Sequence, residues 1–154
     1  MASWSEFEAA MPAMAAAGQK LIYQYGPGLG YLATIRKDGA PRIHPFCPVI
    51  SEGRLWALIA PSPKRHDLLR DGRYAFHALS PEDRDDEFML AGTAVPNTDA
   101  GQRERVVATT KEKGVTVGDH DQLFELGIER ALLAVYKPRA EYEWPPKYEK
   151  WQSG

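Results

Sequence analysis

The sequence predicts a mainly β, α+β protein: a small antiparallel barrel with short flanking helices. About six or seven segments have strand patterning, most neighbouring segments are joined by short turns, and few segments repeat at helical spacing. No linker, internal repeat or low-complexity stretch divides residues 1–154, so we expect a single domain with its own core.

The chain is expected to begin with helix. Ser3 and Glu6 have the spacing of a capping box, and the apolar residues that follow recur at helical intervals. Pro12 interrupts this pattern, which predicts two short helices or one kinked helix. Residues 26–30, which contain three glycines and a proline, then predict a turn before the first strand.

Strands are predicted where apolar residues alternate between turn signals. Asp38 and Gly39 form the strongest hairpin signal and join the first two strands. Pro45 and Pro48 cannot donate to a ladder, so the second strand should be interrupted, bulged or at an edge there, with backbone groups free to meet a ligand. The predicted strands cover residues 31–36, 42–50, 54–60, 72–79, 87–95, 130–137 and 140–144, followed by a tail.

Three further helices are predicted between the strands. Ser62 as N-cap and Pro63 as the first helical residue start one that runs to residue 71. A second helix, capped by one of residues 97–99, extends to about Lys113, and a short third one is expected near residues 121–126.

The first of these helices carries cations where acidic residues are expected. Lys64 and Arg65, with His66 as a potential third cation, occupy its first turn, although the unpaired N–H groups of a helix start already carry about half a positive charge. Each exposed, unpaired cation costs about 0.3–1 kcal/mol at such a position. The arrangement becomes favourable if a phosphate binds the turn, with Arg36 and Arg42 as additional cations; the alternative is a solvated surface turn.

Composition restricts the class of function. The formal net charge of −2 and the pI of about 6.1 give no overall attraction to nucleic acid or to anionic membranes. No apolar run approaches the roughly 20 residues needed to span a bilayer, and the N-terminal M-A-S-W-S-E-F-E lacks the basic flank of a signal peptide. The single cysteine, Cys47, excludes an internal disulfide and fits a reducing compartment. We therefore expect a soluble cytoplasmic protein that binds neither nucleic acid nor membrane.

Three runs of the sequence together resemble a known family. They are L-A-T-I-R-K-D-G-A-P-R-I-H-P (32–45), G-R-L-W-A-L (53–58) and S-P-K-R-H-D-L-L-R-D-G-R (62–73). Their order and separation are similar to those of the pyridoxamine 5′-phosphate oxidase-like family, and the tail W-P-P-K-Y-E-K-W (144–151) resembles the tryptophan-bearing ends of some members. The resemblance implies an FMN-binding split β-barrel that forms a homodimer with two cofactors at the interface.

The resemblance also implies a set of cofactor-binding residues. The flavin would lie along residues 42–47 and the end of the next strand, while Ser62 and Lys64 would bind its phosphate. The oxidases of the family have arginine at the position of Pro63, so Arg65 or Arg42 would have to replace one phosphate contact. The full implied set is Arg42, Ile43, His44, Pro45, Phe46, Cys47, Leu58, Ile59, Ser62, Pro63, Lys64 and Arg65.

The function implied by the resemblance is a flavin-dependent oxidoreductase that acts on a small organic substrate. A deazaflavin-dependent reductase, or a non-catalytic carrier or sensor that binds flavin or haem, remain alternatives. The sequence identifies no catalytic acid or base, and no spacing such as H-E-x-x-H indicates a metal site. Cys47 is interpreted as a buried small residue, and Trp144 and Trp151 as residues that stack on a ring or pack across a dimer interface.

Overall fold

Eight antiparallel strands and four α-helices make up the computed structural model, which describes residues 1–154. The strands are β1 (Gly30–Ile35), β2 (Pro41–Phe46), β3 (Val49–Ser51), β4 (Arg54–Ile59), β5 (Arg73–Ala78), β6 (Glu87–Asn97), β7 (Gln122–Val135) and β8 (Lys147–Gln152). The helices are α1 (Trp4–Ala10), α2 (Pro12–Tyr23), α3 (Pro63–Arg70) and α4 (Ala100–Glu112), with a 3₁₀ turn at Arg139–Glu141.

The sheet curls until its two edge strands are joined by only two residues. Its order is β2-β1-β5-β6-β7-β4-β3, with β8 also paired to β7, so β2 and β3 lie at opposite edges. Cys47 and Pro48 alone connect these edges, which therefore come together without pairing. We call this unpaired junction the seam. It makes the barrel a split one, and it interrupts the predicted 42–50 strand in the region where the prolines predict a break.

The two N-terminal helices form as Pro12 predicts, because this proline becomes the first residue of α2. The Ser3 N–H donates to the Glu6 carboxylate at 2.7 Å and the Glu6 N–H donates to the Ser3 hydroxyl at 3.3 Å, so the capping box is formed. Trp4 and Phe7 of α1 are buried in the main core of the barrel. None of the helices is long and apolar enough to cross a membrane.

The prediction of a short helix at residues 121–126 was wrong. These residues begin β7, which runs for 14 residues and forms the longest strand of the sheet. The segment pairs with β4 on one side and with β6 on the other, so the sheet supplies its hydrogen bonds and overrides a weak local helical pattern.

The prediction of a last strand at residues 140–144 was also wrong. That stretch forms the 3₁₀ turn and a loop, because Arg139 fastens it to the acidic loop through its N–H to the Asp83 carbonyl and its guanidinium to Asp85. The last strand is instead β8, in the predicted tail, where it takes up the edge of β7 that β4 leaves open.

The buried carboxylate of Asp67 ties α3 to the first two strands. Its Oδ2 accepts from the Thr34 hydroxyl at 2.9 Å and from the Arg42 Nε at 2.7 Å, and its Oδ1 accepts from the Arg70 Nη1 at 3.3 Å. The residue is only 3% exposed. Burial raises the pKa of Asp67, but the hydrogen bonds from Arg42, Thr34 and Arg70 outweigh burial and hold that pKa below its usual value.

We expect Asp67→Ala to lower the free energy of unfolding by about 2–3 kcal/mol at neutral pH, because two guanidinium groups and a buried hydroxyl lose their common acceptor. The matched variant Asp38→Ala breaks an exposed ion pair with Arg36 and should cost at most about 1 kcal/mol. Urea unfolding monitored by tryptophan fluorescence measures both values, and equal losses would contradict the assigned role.

The contribution of Asp67 should also depend on pH with a definite sign. Because its pKa is lower in the folded protein than in the unfolded chain, the stabilisation is present at neutral pH and is lost as the pH falls through the folded value. The difference in stability between the native protein and Asp67→Ala should therefore shrink in acid.

Candidate functional site

Two depressions flank the first turn of α3. The first, which we call the apolar pocket, has a volume of about 260 Å³ and lies among the ends of β2 and β4, the start of α3 and the loop after α4. It is lined by Leu29, Pro45, Phe46, Cys47, Leu58, Ala60, Lys64, Thr110, Val115, Thr116, Val117 and Asp121.

The second depression, which we call the basic cleft, has a volume of about 600 Å³ and lies between the β1–β2 turn and α3. It is lined by Arg36, Lys37, Asp38, Arg42, Pro63, His66, Asp67 and Arg70. The two depressions therefore differ completely in chemistry, and α3 contributes side chains to both.

The two depressions contain seven of the twelve predicted cofactor-binding residues. The apolar pocket brings together Pro45, Phe46, Cys47, Leu58 and Lys64. The basic cleft contains Arg42 and Pro63. The family resemblance implied these seven positions. Pro45 of the second strand and the cations of the helix start had independently indicated a ligand there, and both lie at the observed depressions.

Five predicted residues, His44 among them, have side chains that line neither depression. Ile43 is 66% exposed on the outer face of β2, whereas Ile59 is 1% exposed and belongs to the core. The Ser62 hydroxyl donates to the Ala60 carbonyl at 2.8 Å instead of capping α3. The Arg65 guanidinium donates to the His120 carbonyl at 2.8 Å.

The start of α3 is left with free donors. Because the Ser62 side chain turns back to Ala60 and Pro63 has no N–H, nothing in the chain caps this helix end. The backbone N–H groups of Ser62 and Lys64 and the ammonium group of Lys64 make no hydrogen bond or ion pair within the chain. Lys64 is half-buried and is the one cation that lines the apolar pocket. This turn can therefore bind an anion at the edge of an apolar surface.

His44, the twelfth predicted residue, has an unsatisfied buried nitrogen. Its Nε2 is shielded from solvent and has no hydrogen-bond partner. Burial lowers the pKa of His44, and the neighbouring Lys64 and Arg42 lower it further, against an opposing effect of Asp67. The imidazole is consequently neutral at pH 7, and a buried neutral nitrogen without a partner favours a ligand that can supply one.

Cys47 lies at the seam with a free backbone. Its N–H and C=O make no hydrogen bond within the chain, in keeping with the expectation of free backbone groups next to the prolines. Burial raises the pKa of the Cys47 thiol, with Lys64 acting in the opposite direction. The thiol is therefore protonated at neutral pH and is not a reactive thiolate, although Cys47 is half-buried at the pocket wall and not fully buried as the sequence suggested.

The loop that covers the apolar pocket has no recognisable signal in the sequence. Residues 113–121 follow α4, and Arg103 fixes them by donating to the carbonyls of Gly118 and Asp119 at 3.1 and 3.3 Å. Arg65 holds the same loop through His120. A loop placed by arginine-to-carbonyl bonds has no motif in the sequence, because any residue supplies the carbonyl.

The two tail tryptophans have different environments. The Trp151 ring lies 5.1 Å from that of Phe7 and packs against the main core of its own chain. Trp144 is 64% exposed and lies in the loop before β8. Of the two, only Trp144 remains available to stack on a ligand or on another molecule.

Known proteins match the chain in fold and not in sequence. No protein-family model matches it, and no curated protein matches it in sequence. A NimC/NimA family protein from Clostridium acetobutylicum has a TM-score of 0.65 at 14% identity, covering 95% of this chain and 99% of its own. A protein from the same organism, related to general stress protein 26 and of the pyridoxine phosphate oxidase family, has a TM-score of 0.63 at 12% identity, covering 89% and 92%.

A haem-binding protein from Mycobacterium smegmatis has a TM-score of 0.61 at 17% identity, over 87% of this chain and 57% of the other. The chain thus spans little more than half the length of that protein. At these identities the matches establish the fold. The fold is a split β-barrel, as the sequence resemblance implied.

We expect Lys64→Ala to raise the pKa of His44, because removing the nearby ammonium makes protonation of the imidazole less costly. Titration of the imidazole resonances by NMR measures this change. Lys37→Ala, which removes a cation from the basic cleft that does not perturb His44, is the matched control and should leave the pKa unchanged. An unchanged value in Lys64→Ala would mean that the two side chains are not neighbours in solution.

Proposed function

We propose that the chain binds FMN at the first turn of α3 and acts as a flavin-dependent oxidoreductase on a small organic substrate. One observation carries the proposal: Lys64, a cation without a partner, stands at an uncapped helix start and lines an apolar pocket. A flavin mononucleotide combines a flat, largely apolar ring system with a dianionic phosphate. Lys64 lies where an apolar surface, suited to the ring, meets a helix start, suited to the phosphate.

The donors of the α3 turn suit the phosphate. The free N–H groups of Ser62 and Lys64 and the Lys64 ammonium offer three donors, and the helix dipole adds to their attraction. Arg65 is already engaged with the His120 carbonyl, which makes it the weaker replacement for the arginine that the oxidases have at the position of Pro63. Arg42 has free terminal nitrogens, but it lines the basic cleft and not the apolar pocket, so neither arginine is a close replacement.

The apolar pocket and the seam suit the ring. Phe46 and Leu58 offer apolar contact, and the free backbone of Cys47 offers hydrogen bonds to the polar edge of a flavin. FMN, when bound, supplies hydride and electron transfer. The chain's own residues would hold the phosphate, orient the ring and exclude water from one of its faces.

We also propose that the protein is a homodimer in which a second copy completes the site. The apolar pocket of one chain has about 260 Å³, below the roughly 300–1,000 Å³ of most ligand pockets. Next to it, the outer face of β1 and β2 is apolar and uncovered: Tyr31 lies opposite Pro45 and Ala33 opposite Ile43. A second copy packed on this face would cover these side chains and deepen the pocket.

Haem is the second candidate ligand, for one specific reason. The unpartnered Nε2 of His44 would supply a nitrogen ligand to a haem iron, and the haem-binding protein from M. smegmatis shares the fold. A deazaflavin coenzyme would use the same phosphate and ring contacts as FMN. The absorption spectrum of the purified protein separates these ligands: yellow for FMN, red-brown for haem, and little visible colour for a deazaflavin.

We expect Lys64→Ala to weaken FMN binding by about ten- to a hundredfold, since one charge-assisted contact is worth roughly 1.5–3 kcal/mol and each 1.4 kcal/mol is tenfold in affinity. Arg65→Ala should have a smaller effect, because its guanidinium is bound to the His120 carbonyl. Fluorescence titration of the apoprotein at fixed salt compares both variants with the native protein. Undiminished FMN binding by folded Lys64→Ala would refute the assignment.

We expect light scattering to show a dimer at micromolar concentration, and Ile43→Lys to shift it to monomer by placing a charge at the centre of the uncovered face. Val95→Lys makes the same change at another exposed apolar residue on β6, and it should leave the dimer intact. A monomeric native protein, or a dimer unaffected by Ile43→Lys, would show that this face is not the interface.

A further inference from the structure

The basic cleft has more positive charge than the chain neutralises. Seven of its eight lining residues are charged or titratable, and its four arginine and lysine residues face only two carboxylates, Asp38 and Asp67. The whole chain, by contrast, has a formal net charge of −2. The clustered cations repel one another, and an anion bound in the cleft would relieve this repulsion.

The cations of the cleft are held in position. Arg70 donates through Nη1 to Asp67 and through Nη2 to the Ile35 carbonyl, which fixes it against β1. Arg42 donates to Asp67 through Nε alone, and its two terminal nitrogens make no hydrogen bond within the chain. A guanidinium anchored through Nε by a buried carboxylate keeps its planar fork free, and that fork matches the oxygens of phosphate and carboxylate groups.

The remaining cations of the cleft also lack strong partners. Arg36 pairs with Asp38 at 3.2 Å, but both side chains are about half exposed, so this pair is easily rearranged. The side chains of Lys37 and His66 make no hydrogen bond or ion pair within the chain. The open side of the cleft is thus lined by hydrogen-bond donors that remain free to bind an anion.

The cleft is distinct from the proposed phosphate position. Lys64 lines the apolar pocket, whereas His66 and Arg70 line the cleft, so α3 presents cations on two sides. A phosphate held at Lys64 would leave Lys37 without a counter-ion and the terminal nitrogens of Arg42 without an acceptor. Apart from Pro63 and the His66 ring, all the side chains that line the cleft carry a charge, so the cleft offers little surface suited to a flavin ring.

We propose that the basic cleft is a second anion-binding site, which takes an oxyanion of at least two negative charges, a diphosphate or a polycarboxylate. The site is built from Arg36, Lys37, Arg42, His66 and Arg70, with Asp67 as the positioning residue. The anion is either a separate substrate or an anionic extension of the cofactor itself. The inference goes beyond flavin binding, because it stands on the cleft residues whether or not a flavin occupies the pocket.

Calorimetry with inorganic pyrophosphate tests the site directly. In Lys64→Ala, in which the phosphate turn is disabled, we expect pyrophosphate to bind, and the added change Arg36→Gln with Lys37→Gln to weaken it by at least about tenfold, or 1.4 kcal/mol. The matched control adds Lys20→Gln with Lys111→Gln, two exposed lysines outside the cleft, and should leave the affinity unchanged. No pyrophosphate binding at millimolar concentration, or equal losses in both variants, would overturn the proposal.

Flavin titrations distinguish the two sources of the anion. Pyrophosphate binding by the FMN-loaded protein indicates a separate anionic substrate. If Arg36→Gln with Lys37→Gln weakens binding of FAD, which has a second phosphate, but not of FMN, the anion belongs to the cofactor. The pyrophosphate experiment needs no flavin, so it still tests the cleft if the protein proves not to bind FMN. Loss of FMN affinity in the cleft variant equal to that in Lys64→Ala would show that cleft and turn are one site, against the proposal.

Discussion

One buried carboxylate organises the part of the molecule where the two depressions lie. Asp67 belongs to α3, yet its partners Thr34 and Arg42 belong to β1 and β2, so a single group sets the helix against the hairpin. The same bonds give the region its ionic character, because Arg42 reaches Asp67 with Nε and keeps its other nitrogens at the cleft. Docking of the helix and presentation of the cations therefore have a common cause, and they cannot be altered independently.

Much of this architecture could be predicted from local sequence rules. The Ser3–Glu6 spacing, the break at Pro12 and the prolines around the seam act over a few residues, so their structural effects follow from the sequence directly. The start of α3 was also located correctly by Pro63. Where the rules failed, at residues 121–126, the deciding partners are strands more than twenty residues away in the chain.

The location of the candidate site could be predicted from the sequence, but which depression each side chain lines could not. The pattern of cations after Ser62 indicated an anion, but it could not show that Lys64 faces the apolar pocket while His66 and Arg70 face the basic cleft. Nor could it show that Arg65 is engaged with a loop carbonyl. Each of these facts depends on the direction of a long side chain, which the backbone pattern leaves open and which tertiary neighbours decide.

The seam has a consequence for the way in which occupancy and folding are linked. The apolar pocket is bordered by Pro45 and Cys47 on the β2 side and by Leu58 of β4, the neighbour of β3, on the other. A ligand bound in this pocket contacts both sides of the seam. It therefore links two parts of the sheet that no backbone hydrogen bonds join directly. Because the ligand binds only the folded barrel, it raises the free energy of unfolding by RT ln(1 + [L]/Kd). We therefore expect hydrogen exchange of the backbone amides on both sides of the seam to become slower as the ligand concentration rises.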